Sequence, residues 1–250
     1  LILLVSTIDR FMLERFGQGN AVDRSRPHVF HRDYWSHHYL LVETKAFAEK
    51  FRAELEGKRV LDFGADKSPY DRLFQQAGVE LVKADIDPPP GRGILAIGPD
   101  GRVPVGDGEM SAVISTQVLE HVPEVGRYLA EARRVLAVGG LLFLSTHGAY
   151  ILHRHPTDLR RWTIDGLRYD VEQAGFEVEA VTPRIGIWAM STHLRSILYG
   201  GLTRRVPGTG WLRPLIYLLF NTRMWLEDAL TPASVMESHP ELLFLVARKK

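Results

Sequence analysis

Lys58-Arg59-Val60-Leu61-Asp62-Phe63-Gly64-Ala65-Asp66-Lys67-Ser68-Pro69-Tyr70 is the stretch whose reading decides the fold. The apolar pair Val60-Leu61 runs into Asp62 and Gly64, a polar loop follows, and then a helix start. Ser68 is a suitable N-cap and Pro69 stands where the first helical residue belongs, because the N–H that proline lacks has no helical partner there anyway. Asp71 falls in the first turn, where the helix dipole favours a negative charge. Strand, tight loop and helix N-terminus is how an α/β sheet holds a ligand at the carboxyl ends of its strands, although an ordinary βα turn has the same pattern.

Outward from it, strand and helix patterns alternate. Upstream, Leu40, Thr44, Phe47, Ala48, Phe51 and Leu55 recur at helical spacing and predict an amphipathic helix over 34–56, closed by Gly57. Before that, Ile8, Phe11, Met12, Leu13 and Phe16 fit one face of a short helix ending near Gly17, and 17–27 reads as loop. Downstream, strands are expected at 60–63, 79–85, 94–97, 112–115, 141–145, 176–181 and 242–247, with helices at 69–77, 123–136 and 163–174. Strands separated by helix-length patterns predict an α/β fold, a doubly wound, mostly parallel sheet of seven strands. A long insertion precedes the last strand and should carry helices, because structureless loops of that length are rare. The expected organisation is an N-terminal helical segment (1–57), an α/β domain (58–183), a helical insertion or lid (184–240) and the final strand (241–250).

A net charge of +1 argues against a dedicated nucleic-acid binder, which shows a basic excess. The absence of cysteine excludes disulfides and cysteine-ligated zinc and fits a cytoplasmic location. No apolar run reaches the roughly 18–20 residues of a spanning helix. Leu1–Val5 is short and has no basic residues before it, so no signal peptide is expected. Within 195–230, Arg195, Arg204, Arg205, Arg213 and Arg223 face only Glu227 and Asp228. Apolar and basic together point to a lid, an oligomer face or an interfacial helix in peripheral membrane contact through 195–226. The competing reading is a subdomain that buries its apolar side on the main domain.

Four further segments follow the first motif in order. They are Asp85 at the end of the second strand, Pro99-Asp100-Gly101-Arg102-Val103-Pro104-Val105, Ala112-Val113-Ile114-Ser115-Thr116-Gln117-Val118-Leu119-Glu120-His121-Val122, and Glu131-Ala132-Arg133-Arg134-Val135-Leu136-Ala137-Val138-Gly139-Gly140-Leu141. Together they resemble the class I S-adenosylmethionine-dependent methyltransferases over 58–182 and in the last strand. More narrowly, they resemble the bacterial group found with surface-polysaccharide and lipid-linked sugar biosynthesis. The resemblance implies a Rossmann-like methyltransferase fold and S-adenosyl-L-methionine as cofactor. It implies a cofactor loop of Asp62, Gly64, Ala65 and Asp66, with the backbone of Gly64 and Ala65 near the cofactor's amino-acid end. The family has Gly-x-Gly-x-Gly here; this chain keeps Gly64 and carries Asp66 and Ser68 at the next two positions. Asp tolerates the left-handed conformation better than most residues, so the turn can survive. Asp85, with Asp87 as competitor, is implied on the ribose hydroxyls, Asp100 and Gly101 by the adenine, and Gln117 facing the methionine part. Glu120 and His121 are characteristic of the family, with His121 either a base or a brace for its loop. In the related quinone-biosynthesis branch, acids and a His here hold a metal, but that branch has Glu where this chain has Gln117, and no metal is predicted.

The acceptor side is expected after the fifth strand, where 145–163 is dense in His, Arg, Asp and aromatic residues. His147 and His155 are candidate bases for a hydroxyl proton. Arg160 or Arg161 suits a phosphate or carboxylate, and Trp162 a sugar ring. The resembling family carries Asp-x-x-Arg-x-Thr here, matched by Asp158, Arg161 and Thr163; an internal Asp158–Arg161 ion pair is the alternative. The leading expectation is O-methylation of a sugar, lipid-linked glycan or other small acceptor, at the cytoplasmic face of the inner membrane, by a chain that is free to form oligomers. The alternatives are an inactive member that serves as a partner or membrane-surface scaffold, and a Rossmann dehydrogenase, which needs further glycines before the first helix.

Overall fold

The computed structural model describes residues 24–154, 157–203, 205–206 and 209–250. The expected helix within 1–17 and the candidate base His155 lie outside the described residues. The strands are β1 (Arg59–Phe63), β2 (Glu80–Asp85), β3 (Ile94–Ala96), β4 (Met110–Thr116), β5 (Leu136–His147), β6 (Phe176–Arg184) and β7 (Leu242–Lys249). Among the described residues they form one seven-stranded sheet in the order β3-β2-β1-β4-β5-β7-β6. β1 to β5 run parallel, and β7 lies antiparallel between β5 and β6. This is the Rossmann-like methyltransferase fold, with the order reversing between β1 and β4.

Alternating side chains feed two cores. Leu61, Phe63, Val113, Leu142 and Leu144 point to one face, covered by α4 (Val125–Val135) and α5 (Ile164–Gln173). Val60, Ile114, Phe143 and Phe244 point to the other, covered by α1 (Tyr34–Lys50), α3 (Asp71–Gln76), α6 (Ile187–Leu202) and α7 (Leu212–Leu230). Both faces are dry, so the central strands read as continuous apolar runs. The short helices α2 (Arg52–Leu55) and α8 (Ala233–Ser238) complete the elements of the described residues. The segment between β6 and β7 is therefore helical in its described parts.

Three of the departures from the expected boundaries have a clear physical cause. The first helix breaks at Phe51, whose backbone leaves helical geometry at φ −104 and ψ 17. The helix after β1 starts at Asp71 rather than Pro69, and Ser68 does not cap it. Ser68 sits at φ +46 and donates its hydroxyl to the buried Asp62 carboxylate at 2.8 Å. A buried acid's need for a donor has overridden local capping. β5 begins at Leu136, because α4 runs directly into the ladder, where Met110 pairs Leu136 and the register then jumps to Ala112 with Leu141.

The chain before α1 is fastened to the late helices by a buried charge. His193 of α6 is wholly buried, with Nδ1 2.8 Å from Glu241 Oε2 and Nε2 3.3 Å from Asp33 Oδ1. Ser36 donates to the other Glu241 oxygen at 2.7 Å, and Tyr150 to Asp33 at 3.1 Å. Trp35 donates to the Asn221 carbonyl of α7, and the Asn221 amide returns two bonds to the carbonyls of Val29 and His31. Burial works against a charged ring, but the Glu241 and Asp33 carboxylates outweigh it and lift the His193 pKa to about 10. Burial raises the Asp33 pKa, but His193 and the Arg32 guanidinium 3.0 Å away outweigh it and hold the carboxyl well below the usual range. The folded pKa lies above the unfolded value, so the stabilisation is complete below pH 6.5 and disappears as pH rises through about 10. His193→Gln leaves the buried Glu241 without its cation, while Asp33 keeps Arg32 at 3.0 Å, a loss of about 3 kcal/mol. In thermal melts at pH 7 the variant is expected to lose roughly 10 °C of Tm, and to lack the wild type's fall in Tm between pH 7 and 10.

Candidate active site

Parallel strands bring the loops after β1, β2 and β4 to the same edge of the sheet. Gly64, at φ +86, has no room for a side chain: a Cβ there would lie 2.6 Å from the Val118 side chain. The Gly64 and Ala65 N–H groups both donate to the Ala84 carbonyl, and the Asp66 N–H donates to Asp85 Oδ2 at 2.7 Å. The β1 loop is thus folded over the end of β2, with Asp85 as its anchor. Asp87 donates its N–H to Asp85 Oδ1 over a longer 3.4 Å and is itself exposed. Asp62 is buried beneath this loop. Burial raises its pKa to about 6, the charges of Asp85 and Asp71 add to the rise, and the Ser68 hydroxyl opposes it.

Among the described residues, four non-glycines have positive φ, and three of them, Asp66, Ser68 and Gln117, lie in these loops. Asp66 and Ser68 take φ +43 and +46, so the two positions where the resembling family has glycine keep left-handed geometry without it. Gln117 follows β4 at φ +56; its N–H donates to the Ser145 carbonyl at 2.9 Å and its side-chain amide to Ser145 Oγ at 3.2 Å. Such backbone strain persists only where surroundings enforce it, and it concentrates at ligand sites. Asp100 and Gly101 form a tight turn in which Asp100 accepts from the Arg102 N–H at 3.1 Å. They line a hollow of about 370 Å³ with Arg127 and Arg134, a lining that shares no residue with Gly64, Asp85 or Gln117.

Beside Gln117 the fold assembles a cluster of imidazoles around one carboxylate. Glu120 is fully buried; its Oε2 accepts from the Thr146 hydroxyl at 2.9 Å, while Oε1 has no hydrogen-bond partner. That free oxygen lies 3.7 Å from His147 Nε2 and 3.9 Å from His121 Nε2. The His153 ring stands edge-on to both imidazoles, with centroids at 5.1 Å, and His147 stacks on Tyr150 at 4.5 Å. Burial raises the Glu120 pKa and drives the His147 pKa well down, helped by the nearby His153 ring and the Arg161 guanidinium. Burial also takes His153 down to about 4, so both rings are neutral at pH 7 and can accept a proton. His121 is tied through Nδ1 to the Thr157 carbonyl and so braces its loop.

Sequence reading passed over His153, whose signal was the density of histidines after the fifth strand. It also dismissed a metal on the strength of Gln117. Yet Glu120, His121 and His153 each offer one ligand atom, all within 4.8 Å of one another, a donor set that suits a first-row transition ion.

The remaining acceptor-side candidates are occupied internally. Burial pushes the Asp158 pKa up, but the Arg161 guanidinium, which grips it through both nitrogens, and the His153 N–H bring it to about 2. Arg161 also donates to the Ile151 carbonyl at 3.0 Å, so the pair ties residues 158–161 back to 151–153. Arg160 is engaged with the carbonyls of Val122 and Pro123. Trp162 does not present a face to a sugar: it is 6% exposed, packs in the core, and donates its indole N–H to Asp170 at 2.9 Å.

With this geometry in place, the family described as a methyltransferase domain matches residues 34–181. A curated relative from Mycobacterium sp. strain KMS, described as an uncharacterized methyltransferase, is 33% identical over 99 residues, covering 36% of this chain and 38% of that protein. The match therefore spans well under half the length of the curated relatives. Among solved structures, a putative sarcosine dimethylglycine methyltransferase from Galdieria sulphuraria superposes with a TM-score of 0.57 at 14% identity, covering 97% of this chain and 96% of that one. Haemonchus contortus phosphoethanolamine N-methyltransferase 2, solved with S-adenosyl-L-methionine, gives 0.52 at 13% identity over 96% of this chain and 59% of that one. At these identities the likeness is one of fold.

Gly64→Ala adds a methyl group against Val118 at a left-handed position, a cost of roughly 2–4 kcal/mol. The variant should melt well below the wild type and lose binding of any ligand seated on this loop, whereas Gly57→Ala, which meets no neighbour, should cost only its backbone strain.

Proposed function

The chain belongs to the methyltransferase-domain family, and from that premise we propose that it transfers the methyl group of S-adenosyl-L-methionine to a hydroxyl of a small acceptor, a sugar or a lipid-linked glycan. The observation that supports this reading is the set of left-handed residues in the loops at the carboxyl ends of β1 and β4, Asp66, Ser68 and Gln117, on the sheet edge that also carries the neutral His147 imidazole at the end of β5. The residues present fit the cofactor. Glycine at 64 lets main chain approach it, each Asp85 oxygen accepts one backbone N–H and keeps a second lone pair for a vicinal diol, and the carboxylates of Asp66 and Asp85 suit a cationic sulfonium nucleoside. The cofactor supplies an activated methyl group that carries its own leaving group.

The protein's task is alignment and proton removal. Gly64 and Ala65 hold the amino-acid end, Asp85 the ribose, and Gln117 the methionine part. His147 accepts the acceptor's hydroxyl proton as the new carbon–oxygen bond forms, and Glu120 beside it stabilises the imidazolium. A hydroxyl is a weak nucleophile until its proton is removed, which is the task a neutral His beside the acceptor performs. Asp158 and Arg161 act by holding the loop that carries His153.

An inactive scaffold is the second reading, favoured by one observation: Asp85 Oδ2 is already taken by the Asp66 N–H. Calorimetry separates the two, since the catalytic reading requires heat on titration with S-adenosyl-L-methionine and the scaffold gives none. His147→Ala is expected to lower turnover about 100-fold or more with cofactor affinity unchanged. EDTA should leave turnover intact; loss that manganese or zinc restores would instead assign Glu120, His121 and His153 to a metal.

A further inference from the structure

α7 presents an apolar stripe that nothing among the described residues covers. Of its 19 residues only Asn221 and Met224 are buried. The side against α6 is set by Tyr217, which lies where a Cβ on Gly200 would stand, and by Phe220 against Tyr199 at 5.6 Å. On the other side, Trp211, Leu215, Leu219, Leu226 and Leu230 fall within roughly 100° of arc at one hundred degrees per residue. All five are more than half exposed, with Leu219 at 68%. Trp188, Tyr199 and Leu202 add exposed apolar surface on α6.

Charge identifies what covers it. Residues 195–226 hold five arginines and no Asp or Glu. The whole chain has 31 Lys and Arg against 30 Asp and Glu, so the rest carries four more acids than bases. A second copy docking on this face would bring an excess of arginines against arginines, with Glu227, which pairs with Arg223 at 2.7 Å, and Asp228 as the acids at the end of the same helix. An anionic surface has the matching charge, and amphipathic Trp and Tyr beside leucines is the composition that lies at a headgroup boundary. No helix among the described residues is long and apolar enough to cross a membrane, so the fitting geometry is a helix lying flat.

We propose that the α6–α7 hairpin docks on an anionic lipid bilayer, with the α7 stripe seated among the headgroups and Arg195 and Arg223 on lipid phosphates. The docking does not depend on methyl transfer; if both hold, it keeps the crevice beside lipid-borne acceptors.

The test is flotation of the full chain with vesicles of phosphatidylcholine alone or with about one third phosphatidylglycerol. Binding at least tenfold tighter to the anionic vesicles is expected, with a blue shift of tryptophan fluorescence. Leu219→Glu should abolish the binding. Arg195→Gln and Arg223→Gln should weaken it about fivefold each. All three variants should keep the wild-type Tm and cofactor affinity, since none touches the crevice. Equal binding to both vesicles, or full binding by Leu219→Glu, overturns the proposal. So does a concentration-dependent dimer in sedimentation without lipid that Leu219→Glu dissolves, which would make the stripe a contact between copies. Absence of cofactor heat alongside intact vesicle binding would remove the catalytic reading and leave this one standing.

Discussion

The main chain after β1 and the Val118 side chain after β4 approach so closely that a single methyl group does not fit between them. Most of the crevice follows from that contact. It forces the turn through Gly64 and carries the next residues across the end of β2, where Asp85 receives the Asp66 N–H. The ladder between β1 and β4 places both loops on one edge, so the contact is available only in this strand order. Left-handed Asp66, Ser68 and Gln117 are the strain left over from closing three loops around one space.

Histidine is used in two opposite ways within this fold. His193 lies between two carboxylates and is held as a cation, a structural rivet between the chain before α1, α6 and the start of β7. His147, buried, and His153, partly buried, lie near the Arg161 guanidinium and are kept neutral. Tyr150 joins the two groups, stacking on His147 while its hydroxyl reaches Asp33. A change in the packing of the early helix therefore reaches the imidazole cluster through a single ring.

The strands, their parallel order and the two-sided core were legible because Val60-Leu61 and Val113-Ile114 are continuous apolar runs between helix-length periods. The loop after β1 was legible in position but not in detail, because Ser68 as a cap and Ser68 as a donor to Asp62 look the same along the chain. The acceptor side was least legible. Trp162 reads as a ligand platform, and only the fold shows that Asp170 claims its N–H. His153 gains its meaning from Glu120 and His121, distant in sequence, and the partnership of His193 with Asp33 and Glu241 has no local signature at all.

β7 sits between β5 and β6, yet it is made only after the helices α6 to α8. A nascent chain that has reached Ser238 already holds β5 and β6, each with an open ladder edge waiting for the same missing partner. Antiparallel edges of this kind recruit any strand at hand. Synthesis must therefore pass through a sticky interval that ends when Leu242–Lys249 slides into the gap, and pauses in translation along the helical stretch would lengthen that exposure.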